Sequence, residues 1–281
     1  MGITRKKARA LYDGRRLAEG YPNLEALGTD LYKDAQVVDG RVREAMDWIL
    51  RIVPVTAGAP VAVVGCGPRP QGMRELTQMG YRPVGVEPLR KYVHAARSWL
   101  KDENAVLEGT AERLPLGDAS QCVIILETVL EHVDSLQRTF TEAYRALAPG
   151  GILYVLTVNR FRWSWTGKNP EFNVPFYNWF PALLKEAYVH HHLHFDPRLA
   201  NFTPRPAVHW PSYADLCAFG RQAGFHRFYS KVDVLKQGDP SIAKSRLRCW
   251  LLNRVRYNPW LRALALLQFG DSIFMLKRRD T

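Results

Sequence analysis

The sequence lacks an apolar run long enough to cross a membrane. None of its 281 residues falls in a stretch of about 18 apolar residues, the length that a spanning helix needs. Residues 1–16 are charged and have no apolar centre, so they do not show the pattern of a secretory signal. These absences predict a cytoplasmic protein that touches a membrane, if at all, only from its surface.

Cysteine is scarce and scattered. The four cysteines, at positions 66, 122, 217 and 249, show neither the spacing of a zinc site nor that of a disulfide framework. A reducing compartment is the simplest setting for such a chain.

The chain has a net charge of +12, and acidic residues are few at its two ends. Residues 1–16 hold six basic side chains and one acidic, and residues 241–281 hold nine and two. Basic ends could meet nucleic acid, anionic lipid or a phosphorylated substrate, or could be solvated surface. The segment 241–268 mixes Arg, Trp and Leu, so it could lie in a membrane interface, pack on the protein or form a homodimer contact.

Strand-like and helix-like segments alternate along most of the chain. Short apolar runs predict strands at 61–64, 82–88, 105–109, 122–127, 152–158, 227–235 and 272–278. Helical spacing of apolar residues predicts helices at 36–53, 70–79, 89–100, 135–147 and 212–225, with a helical stretch over 241–268 that is broken at Pro259. This order predicts an α/β fold, a Rossmann-like, doubly wound, mostly parallel seven-stranded sheet.

The pattern divides the chain into four parts: a basic helical extension (1–35), a ligand-binding core (36–159), an insert (160–210), and the rest of the sheet (211–281). The insert is rich in Trp, Phe, Tyr and His and has no regular period, as functional inserts often do. We expect it to be a functional segment or a small helical insert. His190 and His194 in the insert could share a helical face and a metal, although such clusters more often line a polar pocket without one.

The stretch VAVVGCG (61–67) is an apolar strand that runs into a glycine turn. Glycine lets a ligand approach the backbone closely, and Glu87, 20 residues past Gly67, stands where an acid can bind ribose hydroxyls. A dinucleotide loop needs a third glycine, and Pro70 stands in its place. The loop therefore favours an adenosine ligand other than a dinucleotide.

The segment GTAERLPLGDASQCVIILETVLEHVDSLQRTFTEAYRALAPGGILYVLTVNR (109–160) resembles the class I S-adenosylmethionine (SAM) methyltransferases of the type 11-like subgroup. The resemblance lies in AExLP, LEHV and L-x-PGG, in that order. It covers about residues 36–160 and weakens to fold level over 210–278. It implies SAM as the cofactor and makes residues 36–159 the SAM-binding core. It also implies that the insert at 160–210, which lies where this family has its substrate lid, is such a lid.

Carried over by position, the resemblance assigns parts of SAM to short segments of this chain. The backbone of residues 64–67 would lie close to the methionine part of SAM. Glu87 would accept hydrogen bonds from both ribose hydroxyls, and residues 110–112 would lie beside adenine. Glu127 and Thr128 would face the methionine end and the transferred methyl. The complete cofactor set is Val64, Gly65, Cys66, Gly67, Glu87, Pro88, Thr110, Ala111, Glu112, Glu127 and Thr128.

Three positions depart from the family pattern. Val63 stands for an acid that helps to hold the SAM amino group, Arg69 for a loop glycine and Cys122 for an aspartate. Loss of the first acid would remove a contact of about 1.5–3 kcal/mol, for which Glu127 is the obvious substitute. Arg69 could reach the SAM carboxylate or point to solvent. These departures keep open a non-catalytic binding protein on the same fold.

Methyl transfer to a hydroxyl needs alignment and a base near the methyl group. His132 is the candidate base, with Glu131 beside it and His209 as an alternative, although Glu131 and His132 could instead only order the loop. Some relatives hold a divalent cation with Glu-x-x-Glu-His. The spacing Glu127-x-x-x-Glu131-His132 makes that metal site less favoured here.

The sequence therefore predicts a SAM-dependent O-methyltransferase acting on a small molecule, such as a sugar, a glycolipid or a natural product. The alternatives are an RNA methyltransferase, suggested by the net charge, and the non-catalytic binding protein. Nucleic acid is the less favoured partner because the chain shows no separate RNA-binding module.

Overall fold

A computed structural model describes residues 41–159 and 209–279, together with the single residues Phe161 and Leu184. The predicted N-terminal extension, most of the predicted lid, and His190 and His194 lie outside the described residues. Those interpretations stay predictions.

Seven strands form one sheet in the order β3-β2-β1-β4-β5-β7-β6. The strands are β1 (Pro60–Val64), β2 (Arg82–Glu87), β3 (Val106–Glu108), β4 (Gln121–Glu127), β5 (Leu147–Leu156), β6 (Arg227–Ser230) and β7 (Ser272–Leu276). Strand β7 pairs antiparallel with β5 and β6, and all other pairs are parallel. The predicted mostly parallel, doubly wound sheet is confirmed.

Helices cover both faces of this sheet. They are α1 (Arg41–Ile49), α2 (Gln71–Gln78), α3 (Arg90–Leu100), α4 (Leu136–Ala146), α5 (Tyr213–Ala223), α6 (Lys231–Val234), α7 (Pro240–Ala243), α8 (Arg246–Tyr257) and α9 (Pro259–Phe269), with a 3₁₀ turn at Leu130–His132. The predicted break at Pro259 is confirmed, since Asn258 ends α8 and its side chain accepts from the backbone N–H groups of Trp260 and Leu261. No helix in the described part of the chain is both long and apolar enough to cross a membrane.

The predicted strand at 227–235 is wrong beyond Ser230. There the chain enters α6 because Ser230 and Asp233 form a capping box, in which Asp233 accepts from the Ser230 backbone N–H at 2.7 Å. This local hydrogen bonding outweighs the alternating apolar pattern of the segment.

The carboxyl ends of β1, β2, β4 and β5 meet at one edge of the sheet, where ligands bind in folds of this kind. Helix α1 reaches this edge by lying very close to α2. A Cβ at Gly72 would come within 2.3 Å of Val42, so only glycine permits this approach. On that face α1 also buries Trp48 against Tyr154 and Phe274.

Candidate functional site

A cleft of about 160 Å³ opens at the carboxyl ends of β1, β2 and β4. All the predicted cofactor residues except Cys66 line it, and so does His132. The lining residues that sequence reasoning missed are apolar or aromatic: Leu89, Tyr92, Val129 and Val133. They form the wall of the cleft, and no motif marks them.

The glycine loop owes its shape to two left-handed residues. Gly65 has φ 69° and Gly67 has φ 67°, conformations that L side chains rarely adopt. A Cβ at Gly65 would also meet Val129 at 2.5 Å, whereas at Gly67 it would meet nothing within 4 Å. Gly65 thus permits close packing inside the protein, and Gly67 leaves the loop backbone open toward the cleft.

The side chain of Cys66 points away from this cleft. A Cβ at Gly85 would lie 2.8 Å from Cys66 Sγ, and the thiol packs with Met73 and Val106 in the apolar core. Burial raises the pKa of the thiol, so it is no nucleophile at neutral pH.

Glu87 joins the glycine loop to the end of β2. One carboxylate oxygen accepts from the Gly67 backbone N–H at 3.1 Å, and the other accepts from Leu89 at 3.2 Å. Burial raises the pKa of Glu87 to about 6, and the two backbone donors oppose that rise. Each oxygen accepts one protein bond and retains a lone pair for a ligand hydroxyl.

The loop at 110–112 is held from below by α4. Glu142 accepts from the Leu114 backbone N–H at 3.0 Å, and Arg145 donates to the carbonyl oxygens of Leu114 and Leu116. Glu112 in turn accepts from Asp134 and Ser135 at the start of α4. The Glu112 carboxylate therefore joins the loop at 110–112 to the start of α4.

A second cleft of about 330 Å³ adjoins the first across the glycine loop. The two share Val64, Gly65, Gly67, Glu127 and Thr128. The second cleft is also lined by Cys66, the predicted cofactor residue that the first cleft lacks, and by the charged residues Arg41, Arg69 and Glu75. No sequence motif marked Arg41 or Glu75, because α1 and α2 bring them here only through tertiary packing. Arg69 is exposed at the rim.

Glu127 stands where the two clefts meet. One of its carboxylate oxygens is buried and has no hydrogen-bond partner among the described residues. Burial raises the pKa of Glu127 to about 7, Glu75 and Glu44 act in the same direction, and Arg41 opposes them. A cationic ligand would supply what this carboxylate lacks.

Thr128 follows Glu127 in a strained backbone conformation. Its φ is 52°, which is unfavourable for a β-branched residue. The Thr128 N–H donates to the Leu156 carbonyl oxygen at 2.8 Å, which ties the turn to the end of β5. Strain of this kind often accompanies function.

The three predicted catalytic residues are separated by the structure. His132 lines the cleft, but Glu131 is fully buried behind it, and neither cleft is lined by Glu131 or His209. Thr157 and the Val158 backbone donate to one Glu131 oxygen at 2.8 and 2.6 Å, while burial raises its pKa. Glu131 and His209 therefore lie outside the lining of both described clefts, and their catalytic role stays a prediction.

His209 belongs to the support of the LEHV turn. Its backbone N–H donates to the Glu131 carbonyl oxygen at 3.2 Å, and burial lowers the pKa of its ring. Of the suggested metal ligands, Glu131 has one carboxylate oxygen bonded to Thr157 and Val158, and its other oxygen has no partner among the described residues. Within residues 41–159 and 209–279 no group of three His, Cys, Asp or Glu side chains could hold a metal ion.

A family model described as "Methyltransferase domain" matches residues 62–155, which contain the glycine loop, Glu87 and Glu127. Residues 62–155 are therefore similar to a methyltransferase domain. The match ends before the insert and the C-terminal strands.

Two curated relatives match part of this chain. The ubiquinone biosynthesis O-methyltransferase of Rhizobium rhizogenes is 30% identical over 108 residues, which are 37% of this chain and 42% of that protein. A probable S-adenosylmethionine-dependent methyltransferase of Mycolicibacterium smegmatis is 30% identical over 127 residues, 45% of this chain and 48% of that protein. The chain spans about half the length of the curated relatives it matches.

A solved structure shares the fold. The phosphoethanolamine N-methyltransferase 2 of Haemonchus contortus, in complex with phosphomonomethylethanolamine and S-adenosylhomocysteine, aligns with a TM-score of 0.50. Sequence identity is 13%, and the alignment covers 100% of this chain and 61% of that one. At that identity the likeness concerns the fold alone.

Residues 62–155 have groups that fit the cofactor of the matching family. Glu87 keeps free lone pairs in a cleft that also has apolar walls, as a nucleoside requires. The unpartnered Glu127 oxygen lies beside a second cleft that is also lined by two arginines, so the site offers both signs of charge, as a zwitterionic amino-acid group requires. The fit rests on these unsatisfied atoms, and it extends over both clefts.

Proposed function

We propose that this protein transfers the methyl group of SAM to an oxygen atom of a small-molecule acceptor. The observation that carries the proposal is a pair of acids at the ends of β2 and β4, on either side of one glycine loop: Glu87, which is buried, and Glu127, which is half-buried and has one buried oxygen. Together they offer one carboxylate to a ribose and another to an ammonium group.

In this proposal Glu87 accepts from the two ribose hydroxyls, and residues 110–112 lie beside adenine. Glu127 replaces the acid that Val63 cannot supply and accepts from the amino group of SAM. Arg41 and Arg69 line the second cleft and provide positive charge for the SAM carboxylate. Both placements are favoured electrostatically, because the SAM carboxylate would lie near two arginines and the SAM amino group near one carboxylate.

When bound, SAM supplies a methyl group on a positively charged sulfur, which reacts with a nucleophile by in-line displacement. The protein has to align that nucleophile and remove its proton. His132 is the titratable side chain of the LEHV turn that reaches the cleft, so it is our candidate for the base. The apolar wall formed by Val129 and Val133 limits water near the reacting atoms.

A hydroxyl acceptor is supported by relatives named ubiquinone biosynthesis O-methyltransferase. Phenols are the first acceptor class to test, because a phenol loses its proton to a histidine more readily than an alcohol does. Sugars and glycolipids are the second class, since the predicted lid is rich in aromatic residues.

The test is calorimetry with SAM and with S-adenosylhomocysteine. We expect wild type to bind both and Glu87→Ala to lose about tenfold or more in affinity, since a bond to a charged group contributes about 1.5–3 kcal/mol. Glu108→Ala is the matched control, because Glu108 is an exposed acid at the end of β3, the neighbouring strand. If neither compound binds, or if both variants behave alike, the proposal is wrong.

Turnover and RNA binding distinguish the alternative functions. A non-catalytic protein would bind SAM yet release no S-adenosylhomocysteine with any phenol or sugar acceptor. An RNA methyltransferase would bind RNA in a salt-sensitive manner. Part of the C-terminal positive charge that suggested RNA is already used internally, since Arg262 pairs with Asp233 and Lys277 donates to two carbonyl oxygens.

A further inference from the structure

Helices α8 and α9 form a helical hairpin whose apolar side chains remain exposed. In α9, which is mostly apolar, no described residue is buried. Trp260 is 80% exposed, Tyr257 88% and Leu264 62%. We call this exposed set the hairpin surface; its members are Leu247, Trp250, Leu251, Tyr257, Trp260, Leu261, Leu264, Leu267 and Phe269.

The hairpin is firmly attached to the protein on its inner side. Arg262 makes two bonds to Asp233, at 2.6 and 2.7 Å, and Arg256 donates to backbone carbonyls around α6, including that of Val232 at 3.0 Å. Asn159, just after β5, donates to two carbonyl oxygens in the last turns of α9. The hairpin surface is thus the outer side of an ordered element.

The charge around the hairpin surface has one sign. Residues 241–270 contain six Lys or Arg and no acid. Two of the six, Arg256 and Arg262, face inward, and the other four are exposed: Lys244, Arg246, Arg248 and Arg254. Exposed Trp, Tyr and Leu with neighbouring cations are the pattern of a helix that lies in an anionic membrane interface.

We propose that the hairpin surface docks this protein peripherally on an anionic lipid membrane. Trp260, Tyr257 and the exposed leucines enter the headgroup region, and the four outward cations meet lipid phosphates. A second copy of the chain is the poorer occupant, because facing copies would bring like charges together. Nucleic acid is poorer as well, since its interfaces are polar and would leave the leucines without apolar partners.

Docking in this manner would place the cofactor clefts next to the membrane. The last turn of α9 contacts Asn159 at the carboxyl end of β5, the same edge of the sheet at which the clefts open. An acceptor dissolved in lipid would then have a short path to the cleft. Membrane docking itself does not depend on the methyl-transfer proposal.

The test is co-sedimentation of the full chain with vesicles of phosphatidylcholine alone, or of phosphatidylcholine and phosphatidylglycerol in equal parts. We expect binding to the anionic vesicles that weakens at high salt. Trp260→Ser/Leu264→Ser should lower the partition coefficient by about tenfold or more, with Leu50→Ser, also at an exposed leucine, as control. Lys244→Glu/Arg246→Glu should lower it by about 25-fold or more, at roughly fivefold for each cation.

The charge control is Lys101→Glu/Arg138→Glu, which reverses two exposed cations far from the hairpin in sequence. Circular dichroism and the unfolding temperature establish that each variant is folded. Equal sedimentation of wild type and both hairpin variants would overturn the proposal, as would the absence of binding to anionic vesicles. A dimer in ultracentrifugation that Trp260→Ser/Leu264→Ser dissolves, without vesicle binding by wild type, would assign the surface to a second copy instead.

Discussion

The two halves of the cofactor site differ in how their acids are satisfied. Both oxygens of Glu87 accept backbone N–H groups, whereas a buried oxygen of Glu127 has no partner among the described residues. The pKa is raised to about 6 for Glu87 and to about 7 for Glu127. In the proposed cofactor site, the ribose half is formed in advance, and the methionine half needs a cation to complete it.

The two halves also differ in their origin. The ribose half comes from residues 61–67 and 87–89, in two adjacent parallel strands and the turns after them. The methionine half needs α1, which approaches only because Gly72 has no side chain. The first is therefore encoded locally and the second by packing between distant segments.

The largest effect is expected at the glycine that both halves share. Gly65→Ala combines a left-handed φ with a contact of 2.5 Å to Val129, so we expect a loss of about 3 kcal/mol or more in the free energy of unfolding. Cofactor affinity in calorimetry should fall below detection. Gly58→Ala is the control: its φ is 75° with nothing within 4 Å, so it should lose only about 1 kcal/mol. Equal losses in urea unfolding would mean that the Val129 contact is unimportant.

Replacement of the unsatisfied acid should affect stability and binding in opposite directions. The raised pKa means that ionisation of Glu127 costs stability as pH rises from the ordinary value of 4.5 through about 7. Glu127→Gln should therefore be about 2–3 kcal/mol more stable than wild type at pH 8, with no difference near pH 4. Urea unfolding at both values measures this.

The same variant should bind S-adenosylhomocysteine about tenfold more weakly at pH 7.5, because it loses a charged partner for the amino group. Between pH 6 and 7.5 wild-type affinity should rise about eightfold more than that of Glu127→Gln, following ionisation through a pKa of about 7. Parallel pH profiles would remove Glu127 from the binding of the amino group.

The basic side of the methionine half should show a smaller effect. Arg41→Ala removes an exposed charge that lowers the pKa of Glu127, and we expect cofactor affinity to fall about fivefold, since exposed charges are screened. Arg43→Ala on the same helix is the matched control, because Arg43 is exposed and does not line the second cleft. Similar affinities for the two variants would argue that Arg69 alone holds the carboxylate.

Most of the fold could be predicted because strands and helices follow from the local pattern of apolar residues along the sequence. Short apolar or alternating segments of four to nine residues located every strand, and Glu87 was singled out by its distance from the glycine loop. The error at 231–235 came from preferring alternation over the Ser230-x-x-Asp233 capping signal, which was present in the sequence. A helix cap satisfies backbone groups directly, whereas an alternating pattern only suggests which side is buried.

The candidate site could be predicted only where it depends on strand ends. Arg41 and Glu75 enter it through the α1–α2 contact, and no spacing in the sequence records that contact. The contact between Glu131 and Thr157 could not be predicted, because a carboxylate next to His132 has the same sequence signature whether it faces a ligand or Thr157. The orientation of Glu131 depends on the turn after β4, and that turn rests on the left-handed Thr128.

The smallest effect is expected at Thr128 itself. Thr128→Gly relieves a β-branched residue of a φ of 52° but adds freedom to the unfolded chain, so the gain in the free energy of unfolding should be about 0–1 kcal/mol. If the strain serves to orient Glu127 and His132, cofactor affinity should fall two- to threefold, or about 0.5 kcal/mol, despite this gain. Ala119→Gly is the matched control, since Ala119 also has a positive φ, 50°, away from both clefts. Calorimetry measures cofactor affinity for both variants. If the strained turn orients Glu127 and His132, Thr128→Gly binds more weakly than wild type and Ala119→Gly does not. If the turn only joins two strands, both variants bind as wild type does.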